Sequence, residues 1–511
     1  MSKPIIYQML PRLWGEGRMS SVDDATLSYL QVLGVTHLWC TGIIRHSTGQ
    51  PFVKGDAGSP YAISDYYDVC PYLADVPSRR ISEFRSLVRR VHSHGLRFVM
   101  DFVPNHVGCD YSDRFGGIPL CGWHDYDWSD TIKIDYSVPG TWEAMYRIVR
   151  FWAAKGVDGF RCDMVELVPP EFLKWLIARI KGEFPSAIFI AEVYQKEKYR
   201  MYIEDVRFDY LYDKSGLYDA LRAVTAGHGT ARSINWNWQF LQDLQPRMLN
   251  FLENHDEQRL ASPWFAGRPD YYALLCASLM LNTAPFMLYF GQETGVDASE
   301  GHEGRTTIFN FARPASLQRL CAFVHTPDCL RRLLDSSCTL SSSVPDASGL
   351  SGAGESLSAR ELSVLTHYRD ALALAGSTAV SEGLTFDLCY CQSFEDGFDP
   401  DRHFAFLRHS AAAPADSVSA VSVSGVSVSD SSLSSDFVSG GSISADSTSA
   451  DSVSAGRGTT LLFVCNFSAS EARMTIRIPD HAVEYLGLAA NPCPSGIPVT
   501  VAPFSFTAIP L

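Results

Sequence analysis

The chain has 511 residues, of which 46% are hydrophobic, and its formal net charge at pH 7 is −15. This length exceeds one ordinary core and fits a barrel of about 250 residues or more with a second domain. The acidic balance excludes nucleic acid and anionic membrane surfaces as favoured partners.

The first residues and the cysteines predict a cytoplasmic protein. The segment MSKPIIYQMLPRLWGEG lacks a charged region followed by a long apolar run, so it does not predict a signal peptide. No apolar stretch reaches the length needed to span a bilayer. The thirteen cysteines are scattered and form no pair of CxxC motifs of the zinc-binding type. Such an odd, unpatterned set favours a reducing compartment.

Short apolar strands alternate with amphipathic helices from the first residues onward. The strands are rich in Val, Ile, Leu and Phe and do not alternate with polar residues, which is typical of strands buried on both faces. Eight β-then-α units predict a closed (β/α)8 barrel over residues 1–380. The alternative is an open doubly wound sheet, but no glycine-rich dinucleotide loop follows the first strand. The predicted strands are IIYQML (5–10), THLWCTG (36–42), RFVMDFV (97–103), DGFRCD (158–163), IFIAEVY (188–194), FDYLYD (208–213), RMLNFLEN (247–254) and PFMLYFGQE (285–293).

Three further segments depart from this alternation. Residues 104–139 are long for a βα loop and predict a small inserted subdomain over the barrel mouth. Residues 381–511 contain strand patterns only, which predicts a C-terminal β-sandwich domain. Within it, residues 410–456 repeat Ser, Ala, Val and Asp with a rough DSVSA period. We interpret this repeat as a disordered insertion at the tip of a hairpin whose arms are HFAFLRH and TTLLFVCN.

Charged and polar residues follow four of the predicted strands. In a (β/α)8 barrel the active site lies at the C-terminal ends of the strands, so four carboxylates from four strands should meet there. A solvated rim would explain any one of these carboxylates, but it explains the whole set poorly. Clustered carboxylates in a cleft suit acid/base and nucleophilic work on a glycoside. The residues are Asp101, Arg161, Asp163, Glu192, His255 and Asp256.

The stretches DFVPNH, GFRCDMVE, AEVY and ENHDE resemble four ordered signatures of the α-amylase family of glycoside hydrolases. SPYAISDYYDV (59–69) matches a fifth landmark that precedes them. Order, spacing and strand placement agree over most of residues 1–380. Each motif alone is a weak signal, whereas five in order are a strong one. The resemblance implies a retaining hydrolase of α-glucosidic bonds in maltooligosaccharides or related α-glucans.

The resemblance also implies roles for individual carboxylates. Asp163 matches the nucleophile that forms a glycosyl ester, and Glu192 matches the general acid that later serves as base. Asp256 matches the third carboxylate, which binds sugar hydroxyls more tightly in the transition state. Arg161 is expected to lower the pKa of Asp163, whereas desolvation should raise the pKa of Glu192.

Other positions match residues that bind the sugar at the cleavage point. His106 and His255 match histidines that bind its hydroxyl groups, and Tyr61 matches a tyrosine that stacks on it. Asp101 is expected to support Arg161 rather than to touch substrate. Four tryptophans could extend the sugar cleft, but packing in the core or in loops is the favoured interpretation for each. They are Trp123, Trp128, Trp236 and Trp264.

The chain departs from the family pattern shortly after the predicted nucleophile. Classical members often carry Lys-His where this chain has Glu166 and Leu167, and that pair shapes the leaving-group side and a calcium site. Asn105 alone does not satisfy a hard cation that takes six or more oxygen ligands. We therefore predict no essential metal and no cofactor. The departure is more similar to oligosaccharide-acting members such as cyclomaltodextrinases, neopullulanases or α-glucosidases.

Two alternative functions remain open from the sequence. A transglycosylase would use the same three carboxylates, with a sugar hydroxyl in place of water. A non-catalytic carbohydrate-binding barrel would be expected to lose at least one of them, and here Asp163, Glu192 and Asp256 are all present.

Overall fold

Eight parallel strands form a closed barrel in the computed structural model, which describes residues 3–49, 53–334, 357–411, 459–488 and 490–511. Each strand pairs with its neighbours in chain order, and the eighth pairs with the first. The predicted (β/α)8 barrel is therefore confirmed, and the open sheet is wrong. The barrel strands are Ile5–Met9, His37–Cys40, Arg97–Phe102, Gly159–Cys162, Ile188–Ala191, Tyr210–Tyr212, Met248–Phe251 and Phe286–Tyr289.

Amphipathic helices surround this barrel and cover its outer face. The helix Arg80–Ser93 buries Phe84, Leu87, Val88 and Val91, which recur at helical spacing and form one apolar stripe. Burial of such stripes supplies most of the stability of helices this short. The α-helices of the described residues are Asp24–Val32, Arg80–Ser93, Thr141–Ala153, Pro170–Glu183, Asp219–Thr225, Arg232–Leu241, Tyr272–Leu279, Ala315–Val324, Cys329–Leu334, Ala359–Ala375, Thr378–Ser381 and Asp480–Leu486.

Two hairpins follow the C-terminal ends of early barrel strands. Ile44–His46 pairs with Ile63–Val69 after the second strand, and the sequence did not predict this pairing. His106–Gly108 pairs with Thr131–Lys133 inside the long segment after the third strand. Both hairpins bring loop residues to the end of the barrel where the predicted site residues lie.

The C-terminal region contains two antiparallel sheets. The helix Asp480–Leu486 lies between two of its strands, so the expectation of strands only is wrong. The hydroxyl of Tyr271 donates to the carbonyl of Phe467 at 2.8 Å and links this region to the barrel. One sheet consists of Leu384–Asp387, His403–Ser410, Thr459–Asn466 and Phe506–Pro510, and the other of Ala472–Ile476 and Ile497–Val501.

The predicted hairpin arms lie side by side in the larger sheet. His403–Ser410 and Thr459–Asn466 are antiparallel neighbours, with Ser410 opposite Thr459 in register. The repeat that joins them, assigned above to 410–456, lies outside the described residues from 412 onward.

No disulfide or membrane-spanning helix occurs in the part of the chain that the structure describes. Its cysteines are all free thiols, and Cys40, Cys162 and Cys276 are buried. None of its helices combines the length and apolar character that a bilayer crossing requires.

Candidate active site

The C-terminal ends of the barrel strands open into a cavity of about 260 Å³. Most of the predicted site residues meet in its walls, although they come from different strands and loops. Arg161 and Asp101 are not in the walls but contact residues that are. The predicted residues in the walls are Tyr61, His106, Asp163, Glu192, His255 and Asp256.

The barrel ladder fixes the backbone of the predicted nucleophile and acid. The amide of Asp163 donates to the carbonyl of Phe102, and the amide of Glu192 donates to the carbonyl of Cys162. Both bonds continue the parallel pairing by one residue beyond the strands. Because side chains two apart share a strand face, Arg161 and Asp163 project in the same direction.

Arg161 is fully buried and bridges the two carboxylates. Its Nη1 lies 2.6 Å from Asp163 Oδ1 and forms a hydrogen bond, and its Nη2 lies 2.8 Å from Glu192 Oε1 in an ion-pair contact. Asp101 Oδ1 is 3.8 Å from Nη1, so Asp101 supports Arg161 from the neighbouring strand. The positive charge of one guanidinium thus stabilises the negative charges of three buried acids.

Burial and the charge of Arg161 act in opposite directions on the pKa values of both carboxylates. Desolvation raises the pKa of Asp163 and of Glu192, and the charge of Arg161 opposes the rise in each. The expected raised pKa of Glu192 is therefore present. Arg161 lowers the pKa of Asp163 as expected, but desolvation is the larger effect and leaves that pKa raised.

Glu192 accepts two further hydrogen bonds in the cavity. The amide of Met164 donates to Oε2 at 2.8 Å, and the hydroxyl of Tyr194 donates to Oε1 at 2.8 Å. Met164 adopts a left-handed backbone with φ of 44°, which is uncommon for a residue with a side chain. This conformation accompanies the hydrogen bond from the Met164 amide to the predicted acid.

Asp256 lies on the solvent side of the cavity, with 42% of its side chain exposed. Desolvation by the cavity walls and repulsion from Glu192 raise its pKa. Its Oδ2 is 3.1 Å from His255 Nε2. Its backbone amide donates to Asn254 Oδ1 at 2.8 Å, which fixes the turn after the seventh strand.

A chain of hydrogen bonds orients the aromatic wall of the cavity. Gln8 Nε2 donates to His255 Nδ1 at 2.8 Å, which leaves the ring proton on Nε2, next to the hydroxyl of Tyr61. That hydroxyl in turn donates to Asp101 Oδ1 at 3.2 Å. The rings of Tyr61 and His255 stack with centroids 5.2 Å apart. Desolvation lowers the pKa of His255, so this ring is neutral.

His106 lies in another part of the same wall. It is buried, and desolvation lowers its pKa to about 4, so the ring is neutral at physiological pH. Its centroid is 5.3 Å from that of Trp128, which also lines the cavity. The other three tryptophans considered above are not core residues and do not line this cavity: Trp123 (53% exposed), Trp236 (65%) and Trp264 (57%). Trp123 packs within its loop, where its ring centroid lies 5.2 Å from Lys133 Nζ.

Glu166 and Tyr194 are site residues that sequence reasoning missed. Glu166 occupies the position where the family often has lysine, and its carboxylate accepts the amides of Tyr194 at 2.8 Å and Gln195 at 3.3 Å. It thereby ties the loop after Glu192 to the loop after Asp163. The spacing Glu-x-Tyr was a usable signal, because residues two apart on extended backbone share a face.

The residues around Asn105 do not fit a calcium ion. Lys133 Nζ lies 3.1 Å from Asn105 Oδ1 and 2.8 Å from Asp125 Oδ2, and Asn105 Nδ2 donates to the same Oδ2 at 2.8 Å. An ammonium group therefore already occupies the space between these oxygens. No group of three or more acidic, histidine or cysteine ligands suited to a metal ion occurs among the described residues.

The comparisons with known proteins agree with the fold. The model of the alpha-amylase catalytic domain matches residues 15–117 and 123–315. These segments make up more than half of the chain and contain the predicted acids of the cavity. The chain belongs to the alpha-amylase family.

The relatives found by sequence differ in what their names say they do. An alpha-1,4-glucan:maltose-1-phosphate maltosyltransferase of Cereibacter sphaeroides is 30% identical over 223 residues, which are 38% of this chain and 32% of that protein. Neopullulanase 2 of Thermoactinomyces vulgaris is 24% identical over 308 residues, which are 55% of this chain and 50% of that protein. The chain thus spans about a third to a half of the length of these relatives.

A solved structure extends the similarity of fold to the whole chain. The noncanonic maltogenic alpha-amylase AmyB of Thermotoga neapolitana aligns with a TM-score of 0.61 and 20% identity. The alignment covers 100% of this chain and 96% of that one. At this identity the likeness concerns the fold, including the sheets that follow the barrel.

Proposed function

We propose that the protein is a retaining glycoside hydrolase that cleaves α-glucosidic bonds in maltooligosaccharides or related α-glucans. The observation that carries this proposal is the single buried guanidinium of Arg161, which contacts both Asp163 and Glu192 in a cavity that Asp256 also lines. Two carboxyl groups held together in one cleft are what double displacement at a glycosidic carbon requires.

In the first step, Asp163 attacks the anomeric carbon of the bound glucose unit. The bond between that carbon and the glycosidic oxygen breaks, and Glu192 gives its proton to the departing oxygen. Burial raises the pKa of both carboxyls and Arg161 opposes that rise in both. Repulsion from Asp163 raises the pKa of Glu192 further, whereas a hydrogen bond with Glu192 lowers the pKa of Asp163, so the shared proton is assigned to Glu192. The product of this step is a glycosyl ester on Asp163 and a shortened sugar.

In the second step, Glu192 acts as a base. It takes a proton from water, and the oxygen of that water attacks the anomeric carbon and displaces Asp163. The hydrogen bond from Met164 to Glu192 favours the charged form that this step needs. The enzyme returns to its starting protonation state, and the sugar keeps its anomeric configuration.

The remaining wall residues bind the sugar ring in this proposal. Asp256 accepts hydrogen bonds from hydroxyl groups and stabilises positive charge that develops in the oxocarbenium-like transition state. His106 and His255 are neutral, and the Nδ1 of each already accepts from a side-chain amide, of Asn105 and of Gln8 respectively. The Nε2–H of each ring is therefore the group that donates to a sugar hydroxyl. Tyr61 presents its ring to the apolar face of the glucose unit.

Transfer to another sugar is the second candidate function. It is favoured by the similarity to a maltosyltransferase over 223 residues. A sugar hydroxyl would then replace water in the second step, with the same proton transfers. A non-catalytic binding barrel is disfavoured, because all three carboxylates are present and share one cavity.

The product profile from maltoheptaose, pullulan and a cyclodextrin, measured in parallel at low and high substrate concentration, tests the proposal. Hydrolysis predicts shorter sugars at both concentrations, with retained anomeric configuration in the first product. Products longer than the substrate at high concentration would support transfer instead. Absence of any product, together with unchanged ligand binding after Asp163→Asn, would overturn the enzymatic proposal.

A further inference from the structure

Asp130 is a buried acid that the mechanism above does not use. Only 1% of the residue is exposed, and its side chain lines the same cavity as Asp163 and Glu192. Its Oδ2 has no hydrogen-bond partner among the described residues. A buried carboxylate oxygen without a partner destabilises the fold, so a purely structural role does not account for it.

Lys54 is the cation nearest to this carboxylate. Its Nζ is 3.8 Å from Asp130 Oδ1, which is close enough for attraction but too long for a hydrogen bond. Lys54 also lines the cavity, and its Nζ lies 5.9 Å from the ring centroid of Phe309. Asp130 therefore remains available as a hydrogen-bond acceptor and Lys54 as a donor, because they form no hydrogen bond with each other.

The position of the pair indicates which part of a glucan it faces. Asp130 directly precedes Thr131, which is opposite Gly108 in the hairpin that carries His106. Glu192, which would protonate the departing oxygen, is contacted instead by Met164 and Tyr194. Asp130 thus lies with the residues proposed to hold the glucose unit at the cleavage point, and not with those around the leaving group.

We propose that Asp130 and Lys54 form a subsite for sugar hydroxyl groups on the non-reducing side of the cleaved bond. Asp130 Oδ2 accepts a hydrogen bond from one hydroxyl, and Lys54 Nζ donates to a neighbouring oxygen of the same glucose unit. Vicinal hydroxyls of a pyranose supply a donor and an acceptor side by side, which matches this pair. The inference rests on the proposed function, because that function defines which side is non-reducing.

Binding of maltotriose to the Asp163→Asn variant, measured by titration calorimetry, tests the subsite without turnover. Adding Asp130→Asn should weaken the affinity at least about tenfold, and adding Lys54→Met should weaken it in the same direction. Asp127→Asn is the matched control, since Asp127 is an exposed acid of the same loop, and it should leave the affinity unchanged.

Thermal unfolding of the same variants distinguishes a role of Asp130 in sugar binding from a role in the stability of the fold. Because Asp130 Oδ2 has no partner, Asp130→Asn should leave the melting temperature unchanged or raise it. Unchanged maltotriose affinity of the Asp130→Asn variant, with or without a lower melting temperature, would overturn the subsite, as would the absence of binding to Asp163→Asn alone. Full activity of Asp163→Asn would overturn the proposed function instead, so the two failures are distinguishable.

Discussion

Arg161 and Asp163 form a buried ion pair, with Nη1 of the arginine 2.6 Å from Oδ1 of the aspartate. They are two residues apart at the end of the fourth barrel strand, so the strand geometry itself points both side chains into the same space. The guanidinium reaches Glu192 as well, and this shared contact couples the ionisation of the proposed nucleophile to that of the proposed acid.

Glu192→Gln should distinguish an acid from a merely structural carboxylate. With maltoheptaose as substrate we expect turnover to fall by about 10² to 10⁴, because the departing sugar oxygen needs a proton. With α-maltosyl fluoride, the formation of the ester should fall far less, since fluoride leaves without protonation. Glu197→Gln, an exposed acid in the loop after the same strand, serves as control and should change neither rate.

Steady-state turnover of maltoheptaose and the first-turnover release of fluoride are the two measurements. Equal losses on both substrates would show that Glu192 supports structure rather than protonating the leaving group.

Glu166 and Tyr194 should act on Glu192 as one unit. The hydroxyl of Tyr194 donates to Glu192 and favours its charged form, and Glu166 holds the Tyr194 amide in place. Tyr194→Phe should therefore raise the pKa of Glu192 further. Because Glu192 must be protonated in the first step, the alkaline limb of kcat/KM should move to higher pH, by up to about one unit.

The two substitutions form a double-mutant cycle. Glu166→Ala should move the alkaline limb in the same direction, and the double variant should differ little from Tyr194→Phe alone. The pH dependence of kcat/KM for all four proteins is the measurement. Additive shifts, or a Glu166→Ala variant that melts earlier with an unchanged pH profile, would contradict the positioning role.

Much of the fold was predictable because the barrel strands are buried on both faces. The segment 97–103 is apolar except at Arg97 and Asp101, and it forms the strand Arg97–Phe102. The helix Arg232–Leu241 was not predicted, because its exposed side includes two large aromatic residues, Trp236 and Phe240. Exposed aromatic residues disturb the apolar periodicity on which helix prediction depends.

The candidate site was predictable only in part. Arg161 and Asp163 share a strand, so their contact follows from the sequence spacing. The contact of Arg161 with Glu192 depends on the register of two strands, in which Arg161 lies opposite Ile190. The hydrogen bonds of Glu166 join two loops, and the unpartnered oxygen of Asp130 depends on its whole surroundings. Neither feature has a local sequence pattern.

We expect Lys133, and not a metal ion, to neutralise the acidic group in the loop after the third strand. Its ammonium group contacts Asn105 and Asp125, so a chelator such as EDTA should change neither the melting temperature nor the activity. Lys133→Met leaves Asp125 without its cation and should destabilise the protein by about 1–3 kcal/mol. Differential scanning calorimetry with and without EDTA measures both effects.

Lys174→Met provides the control for Lys133, since Lys174 is an exposed lysine on an outer helix. Loss of activity on chelation that added calcium restores would contradict the assignment of Lys133 as the resident cation.

His37 should make stability depend on pH. Desolvation lowers its pKa in the folded protein to about 4, whereas an unfolded histidine titrates near 6.5. Between these values the unfolded chain binds the proton and the folded chain does not, so stability contributed by His37 falls as pH falls from about 6.5 to 4. Buried carboxyls with raised pKa values, such as Asp101, act in the opposite direction.

The contribution of His37 is therefore measured as a difference between variants. Between pH 7 and pH 4.5, the melting temperature of His37→Gln should decrease by fewer degrees than that of the wild type. His302→Gln changes a side chain that is 90% exposed and should follow the wild type. Parallel curves for His37→Gln and the wild type would contradict the lowered pKa of His37.

The most direct test of the central claim is peptide mass spectrometry of the Glu192→Gln variant after brief incubation with α-maltosyl fluoride. The fluoride leaves without an acid, and the missing base should slow hydrolysis of the ester, so the intermediate should accumulate. We expect one maltosyl unit bound to Asp163. Attachment to another residue, or release of one fluoride per enzyme with no sugar on the protein, would contradict the account.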